Sequence, residues 1–337
     1  MNRITFAGNI LNDVIKIIPA WPDKGMLVPI TSLSRAVGGS VCNTSIDLKT
    51  LDPTLDVRAL GKVGDDDAGE FATAFMKNKG VDVSRIVRVA GVPTSFTDVM
   101  SIAATGERTF FNMHGADSSL SPEDVDAASL DCDIFHLGYL LLLDSLDAPD
   151  EKFGTQAARL LAHLQASGIK TSVDIVSEKS DRFAKIVRPA LRHCDYVIIN
   201  EFEAANATGL PATDSRGRVT TATMRAMAEA LISLGVRERA VIHSPGLSAS
   251  IDRDGNFTAV PSLDLPAEWI KGSVGAGDAF CAGTLYAIMK GMDADTGLRL
   301  ASCAAACNLA AYDSVSGAKP LSETIALESL FKRKCQN

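Results

Sequence analysis

Short apolar runs recur along the chain, separated by stretches in which apolar positions return at helical spacing. Val57-Arg58-Ala59-Leu60 leads into Gly61-Lys62-Val63-Gly64, which reads as a turn, and then into a helix over about 66–78. Ile134-Phe135-His136-Leu137 has the character of a buried strand, and Ala157 to Gln165 is helical. The same alternation predicts strands at about 171–175, 196–199 and 240–243, with helices at about 181–191, from about 201, and at 222–234. Strands separated by helices at this spacing imply right-handed crossovers and a mostly parallel sheet covered on both faces, so the fold class is α/β. In such sheets ligands gather beyond the carboxyl ends of the strands.

Two segments break the alternation and read as β-rich, about 14–36 and about 85–112. In the second, Thr97–Ala103 and Arg108–Asn112 are strand-like and joined by a Thr105-Gly106-Glu107 turn. Paired with each other, the two segments would make a small sheet standing off the main body. Such a sheet is either a lid or an edge hairpin that decorates the surface.

Composition narrows the class. With 337 residues, 46% hydrophobic and 22% charged, the chain suits one sizeable α/β domain spanning residues 1–337. A net charge of −8 and a pI near 5.2 argue against nucleic acid as partner, so a phosphate site must be built locally from backbone amides and a few cations. The seven cysteines lack C-x-x-C spacing and suit reduced thiols in a cytoplasm; Cys303 and Cys307, four apart on an Ala-rich helix, read as small buried apolar residues. The start, MNRITFAGNI, is too short in its apolar stretch for a signal peptide, and no uncharged run reaches membrane-spanning length. The expectation is a soluble, cytoplasmic protein.

The strongest chemical signal is Gly275-Ala276-Gly277-Asp278, placed where the apolar helical stretch Asp278–Lys290 begins. Glycines let backbone N–H groups turn inward, and a helix start offers orphan donors and a positive dipole end to a phosphate. A carboxylate beside that cradle can take a proton from a hydroxyl attacking phosphorus. The plainer alternative is a tight turn with an acidic residue matching the dipole. There is no G-x-x-x-x-G-K-[ST] and no third glycine of G-x-G-x-x-G, so neither of those nucleotide motifs is supported. Further polar clusters fall where strands end or helices begin: Gly8-Asn9 with Asp13, Gly38-Gly39 with Asn43, Gly61–Asp66, and Asn200 with Glu203. Each suits hydroxyl binding, and each has a structural alternative: Asp13 a turn residue, Asn43 a satisfied core amide, Asp66 an N-cap, Glu203 a solvated first-turn acid.

Their order and spacing resemble the ribokinase-like, or PfkB, family of sugar and nucleoside kinases, from about Ile4 to Ser316-Gly317-Ala318. Gly38-Gly39-x-x-x-Asn43, Gly61-x-Val63-Gly64-x-Asp66-x-x-Gly69, Asn200-x-x-Glu203 and Gly275-Ala276-Gly277-Asp278-Ala279-Phe280 carry the resemblance. It implies a three-layer α/β/α sandwich with a small β-sheet lid from inserted segments at about 11–37 and 92–117, often a dimer interface. It also implies ATP as donor, Asp278 as general base, and the amides of Gly275, Ala276 and Gly277 as an anion hole. Asn200 and Glu203 would position Mg²⁺ through water. Asp13, Gly39, Asn43 and Arg108 would hold the acceptor, while Asn200, Ser244, Gly246, Gly275 and Gly277 would meet ATP. The family's common Asp-Thr pair ahead of the glycines is Gly272-Ser273 here, which removes a K⁺ ligand and implies a weak K⁺ response. The lid segment around Gly106–Phe111 and Gly115-Ala116-Asp117 favours a sugar acceptor. A nucleoside is the alternative, since the motifs at Asp13 and Asn43 are similar to those of adenosine kinases, and Trp21 would stack on a base or cover a sugar face. A non-catalytic sugar or nucleoside sensor on the same fold is disfavoured by the intact Asp278.

Overall fold

The protein is described by a computed structural model covering residues 1–105 and 107–335. In chain order the first strands are β1 (Arg3–Gly8), β2 (Leu11–Ile18), β3 (Ser32–Gly38), β4 (Asp56–Gly64), β5 (Asp82–Val89), β6 (Ser95–Ile102), β7 (Arg108–Met113) and β8 (Ile134–Leu140). Two-residue strands β9 (Pro149–Asp150) and β10 (Gly154–Thr155) pair with each other. The remainder are β11 (Lys170–Ile175), β12 (Tyr196–Asn200), β13 (Arg239–His243), β14 (Leu247–Asp252) and β15 (Phe257–Pro261).

Nine strands form the main sheet in the order β15-β14-β13-β12-β11-β8-β1-β4-β5. Pairing is parallel from β13 across to β5, and β14 and β15 close one edge as an antiparallel hairpin. Central strands β8 and β12 read as largely apolar runs because helices cover both faces, β11 buries the polar Thr171, Ser172 and Asp174 among them, and two large clusters of buried side chains occupy the two sides. Helices start where polar caps stand: Asp66 accepts from Gly69 N–H at 2.8 Å, and Asn200 and Glu203 form a reciprocal capping box.

A separate four-stranded sheet has the order β3-β2-β6-β7. This is the expected pairing of the two β-rich segments, with two differences. Residues 19–31 form a loop rather than strand, consistent with Pro19, Pro22 and Pro29, which lack the N–H a ladder needs. The segment from Asp82 to Val89 belongs to the main sheet, parallel to β4. Gly106 of the expected turn lies outside the described residues. The Gly61–Gly64 run, read as a turn, is the end of strand β4. Its glycines serve close packing: a Cβ on Gly64 would stand 2.5 Å from the Thr94 nitrogen, and one on Gly61 2.8 Å from Ile10 Cδ1. No helix among the described residues is long and apolar enough to cross a membrane.

Candidate active site

The helix Ala276–Met289 starts from Gly275, whose φ of 79° is left-handed and whose added Cβ would lie 2.5 Å from the Ser314 carbonyl oxygen. Only glycine meets both conditions. The amide of Ala276 points to the Ser273 carbonyl at 3.3 Å, whereas Gly277 and Asp278 occupy first-turn positions that have no carbonyl four residues back within the helix. Of the expected Gly275–Gly277 amides, that of Ala276 has a protein acceptor, and the Asp278 amide adds to the open donors of this first turn.

Asp278 is buried and heavily held. Its Oδ1 accepts from Tyr139 Oη at 2.7 Å and Thr44 Oγ1 at 3.3 Å, and its Oδ2 accepts from Asn43 Nδ2 at 3.0 Å. Burial raises its carboxyl above the ordinary value, and the three hydrogen bonds pull the other way. Two donors fill Oδ1, leaving Oδ2 a lone pair for a further hydroxyl. Asn43, expected at the acceptor, uses both ends of its amide inside the protein, since its Oδ1 accepts from Ser314 Oγ at 2.8 Å. Thr44 closes the Gly38-Gly39-Ser40-x-x-Asn43-Thr44 motif, but its bond to Asp278 was not foreseen; Tyr139 and Ser314 come from distant segments without a motif, and only folding assembles them.

Asp13 on β2 faces Asp278 and Arg108. Burial and the Asp278 charge push its carboxyl up to about 7, against the pull of the Arg108 guanidinium. Arg108 also donates to the Tyr312 carbonyl at 3.2 Å, tying the small sheet to the loop after the helix Ala294–Leu309. Gly39 has φ 87° and a Cβ there would stand 2.5 Å from the Asn9 carbonyl oxygen, so it permits backbone approach at the start of the helix Ser40–Leu51. Asp66, by contrast, is the N-cap of its helix and also accepts from Thr94 Oγ1 at 2.6 Å, the structural role.

On the other side of the glycine turn lies a cavity of about 540 Å³. Asn200, Ser244, Ala276 and Gly277 line it, together with apolar Leu263 and Ile270. Gly246 and Gly275 do not line it; the Gly246 carbonyl accepts from Ser262 N–H at 3.0 Å. His243 also lines the cavity, its ring tilted against Phe280 at 4.7 Å. Glu203 is 4% exposed, so it is not the solvated acid of the alternative reading. It accepts from Ser177 Oγ at 2.6 Å, Asn200 Nδ2 at 2.7 Å and Asn200 N–H at 2.9 Å, and burial pushes it up to about 7. Asp174, at the end of β11, is raised well above its ordinary value by burial and then by Glu203 and Asp278. Three carboxyls thus share this region with no lysine or arginine among the influences on them. Their oxygens do not converge closely enough to ligate one ion directly, and Glu203 is occupied by internal hydrogen bonds, so a hard divalent cation fits here only with water between it and these carboxyls.

Comparison with known proteins decides the class. A family model described as pfkB family carbohydrate kinase matches residues 1–319. The chain belongs to that family. It is a kinase of the sugar and nucleoside group, a phosphotransferase with an alcohol group as acceptor. The 5-dehydro-2-deoxygluconokinase of Shouchella clausii is 25% identical over 310 residues, 88% of this chain and 87% of the relative. The deoxyribokinase of Salmonella typhi is 23% identical over 277 residues, 82% of each chain. The structure of Arabidopsis thaliana ribokinase complexed with ribose and ATP superposes with a TM-score of 0.77 at 19% identity, covering 97% of this chain and 99% of that one. Fructokinase with bound ATP from Xylella fastidiosa gives 0.75 at 20%, covering 98% and 99%. The fold is ribokinase-like, with the mostly parallel sheet and the second, small sheet.

Proposed function

We propose that this kinase transfers the γ-phosphoryl group of ATP to a hydroxyl of a small carbohydrate, with Asp278 as general base. The observation that carries the reading is the Asp278 carboxylate, fixed by Tyr139, Asn43 and Thr44 within the first turn of a glycine-started helix. ATP occupies the 540 Å³ cavity, its apolar side taking the base and its Gly277 end the phosphates. The free lone pair of Oδ2 accepts the acceptor's proton as oxygen attacks phosphorus. The amides of the Gly275–Gly277 turn, Gly277 above all, stabilise the charge on the transferring group. Asn200 and Glu203 would hold Mg²⁺ through water, and the ion would supply charge neutralisation to the phosphates.

Asp13, Gly39 and Arg108 bind the acceptor, and Asn43 acts mainly by holding Asp278. The small sheet closes over this site as a lid within one kinase domain. Its face turned away from Asp13 and Arg108 exposes Leu33 and Phe111, with Trp21 packed on Phe111 at 6.3 Å; a second copy of the chain is the natural cover. The weak K⁺ response is retained: a Cβ on Gly272 would stand 2.9 Å from the Ala311 carbonyl oxygen, so a carboxylate is not readily accommodated there. The sugar reading draws on relatives named for sugar substrates, which cover most of their own length and this chain.

ADP formation across pentoses, hexoses, keto-deoxy sugar acids and nucleosides tests this. A carbohydrate should give the highest kcat/KM, and Asp278→Asn should lower kcat by about 10²–10⁴-fold. A nucleoside as best acceptor would overturn the substrate class; near-parental kcat in the Asn variant would overturn the base.

A further inference from the structure

Residues beyond 319 lie outside the family match, yet they shape the nucleotide cavity. The segment from Phe331 to Lys334 runs antiparallel to residues 262–264 as one more short pairing. Asp264 N–H donates to the Lys332 carbonyl at 2.7 Å, Lys334 N–H donates to the Ser262 carbonyl at 2.9 Å, and Leu263 bridges Arg333. Phe331 packs edge-on against Trp269 with ring centroids 4.9 Å apart, and the Arg333 guanidinium is tied to Glu328. This fastening sets Lys334 on the cavity lining, where its Nζ donates to the Pro245 carbonyl at 3.0 Å. One donor of the ammonium is used there and two remain.

Charge makes the placement consequential. Lys334 is the only lysine or arginine among the described residues that line the cavity, and the lining includes the acid Glu201. The chain as a whole carries −8. A nucleoside triphosphate is strongly anionic, and apart from the helix start nothing else on the wall opposes that charge with a full positive one. We propose that Lys334 is a nucleotide-binding residue, an ammonium delivered by the C-terminal segment to the donor nucleotide. This rests on the kinase reading above.

The side chain is exposed, so substitution leaves the core intact. Lys334→Ala should raise KM for ATP and the Kd for ADP about tenfold, the effect of one charge-assisted contact. kcat should stay within about twofold, the pattern of lost uniform binding. Lys334→Arg should recover most of the loss. The variant's KM should also depend less on salt than the parent's. Unliganded Tm should match the parent, while the Tm rise on adding ADP shrinks. Unchanged ADP affinity and salt dependence in the Ala variant would overturn the Lys334 proposal alone. A parent protein that binds no ADP would overturn the nucleotide reading and this proposal with it.

Discussion

Replacing Tyr139 by Phe removes one hydroxyl and leaves the ring packing, so it isolates the 2.7 Å hydrogen bond to Asp278 Oδ1. That bond stabilises the carboxylate against protonation, while burial, the larger influence, works against it. Burial, with the Asp278 charge second, raises the Tyr139 hydroxyl well above its own ordinary value, so it remains a donor throughout the working range. A hydrogen bond to a charged group contributes about 1.5–3 kcal/mol. At about 1.4 kcal/mol per pKa unit, its loss corresponds to roughly one to two units. The site borders the cleft and water returns part of the loss, which favours the lower figure. The sign follows from the role: Asp278 works as carboxylate, its folded pKa is already raised, and Tyr139→Phe raises it further. The acid limb of kcat/KM against pH should therefore move about one unit toward higher pH, with the two profiles converging on the alkaline side. Because Asp13 beside Asp278 is pushed up to about 7, the limb belongs to the pair; the Tyr139 hydroxyl bonds Asp278 and not Asp13, so a shift shows that Asp278 contributes to the limb. The measurement is kcat/KM for the preferred acceptor across the acid limb in parent and variant. Superimposable limbs, or a shift toward lower pH, would refute the reasoning.

Two other outcomes follow from parts of the fold away from that hydrogen bond. Asp47 is buried with neither carboxyl oxygen partnered, and burial, then Asp278 and Asp313, raise it well above its ordinary value. Stability from its neutral form is full below the unfolded value of about 4 and is lost as pH rises through the folded value, so Asp47→Ala should raise Tm at neutral pH and flatten that decline. A lower Tm at neutral pH would show that the carboxyl has a partner. Amide exchange in β2, β3, β6 and β7 should slow when acceptor binds, as expected of a closing sheet; slowing confined to the helix Ala276–Met289 would remove the lid role.

What was legible in the sequence is what is encoded within a single run of residues. Gly275-Ala276-Gly277-Asp278 carries its own backbone requirement, and strands β8, β12 and β13 are apolar runs whose length and flanks identify them. The misreadings arose where one residue type serves two ends. Gly61 and Gly64 look like turn residues, but the space they leave is filled by Ile10 and by the backbone around Thr94, which only the folded chain brings there. The strand from Asp82 to Val89 has the same β character as the small sheet that follows it, and composition does not state which partner a strand will choose. The site behaves in the same way. Asp278 is visible because it adjoins the glycines, whereas Tyr139 lies 139 residues away and Thr44 lies 234 away along the chain. Both are ordinary residues whose importance is a distance to one carboxylate. The base is thus encoded locally, while its strength is set by donors from other parts of the fold, and the pH profile of Tyr139→Phe reads that second quantity directly.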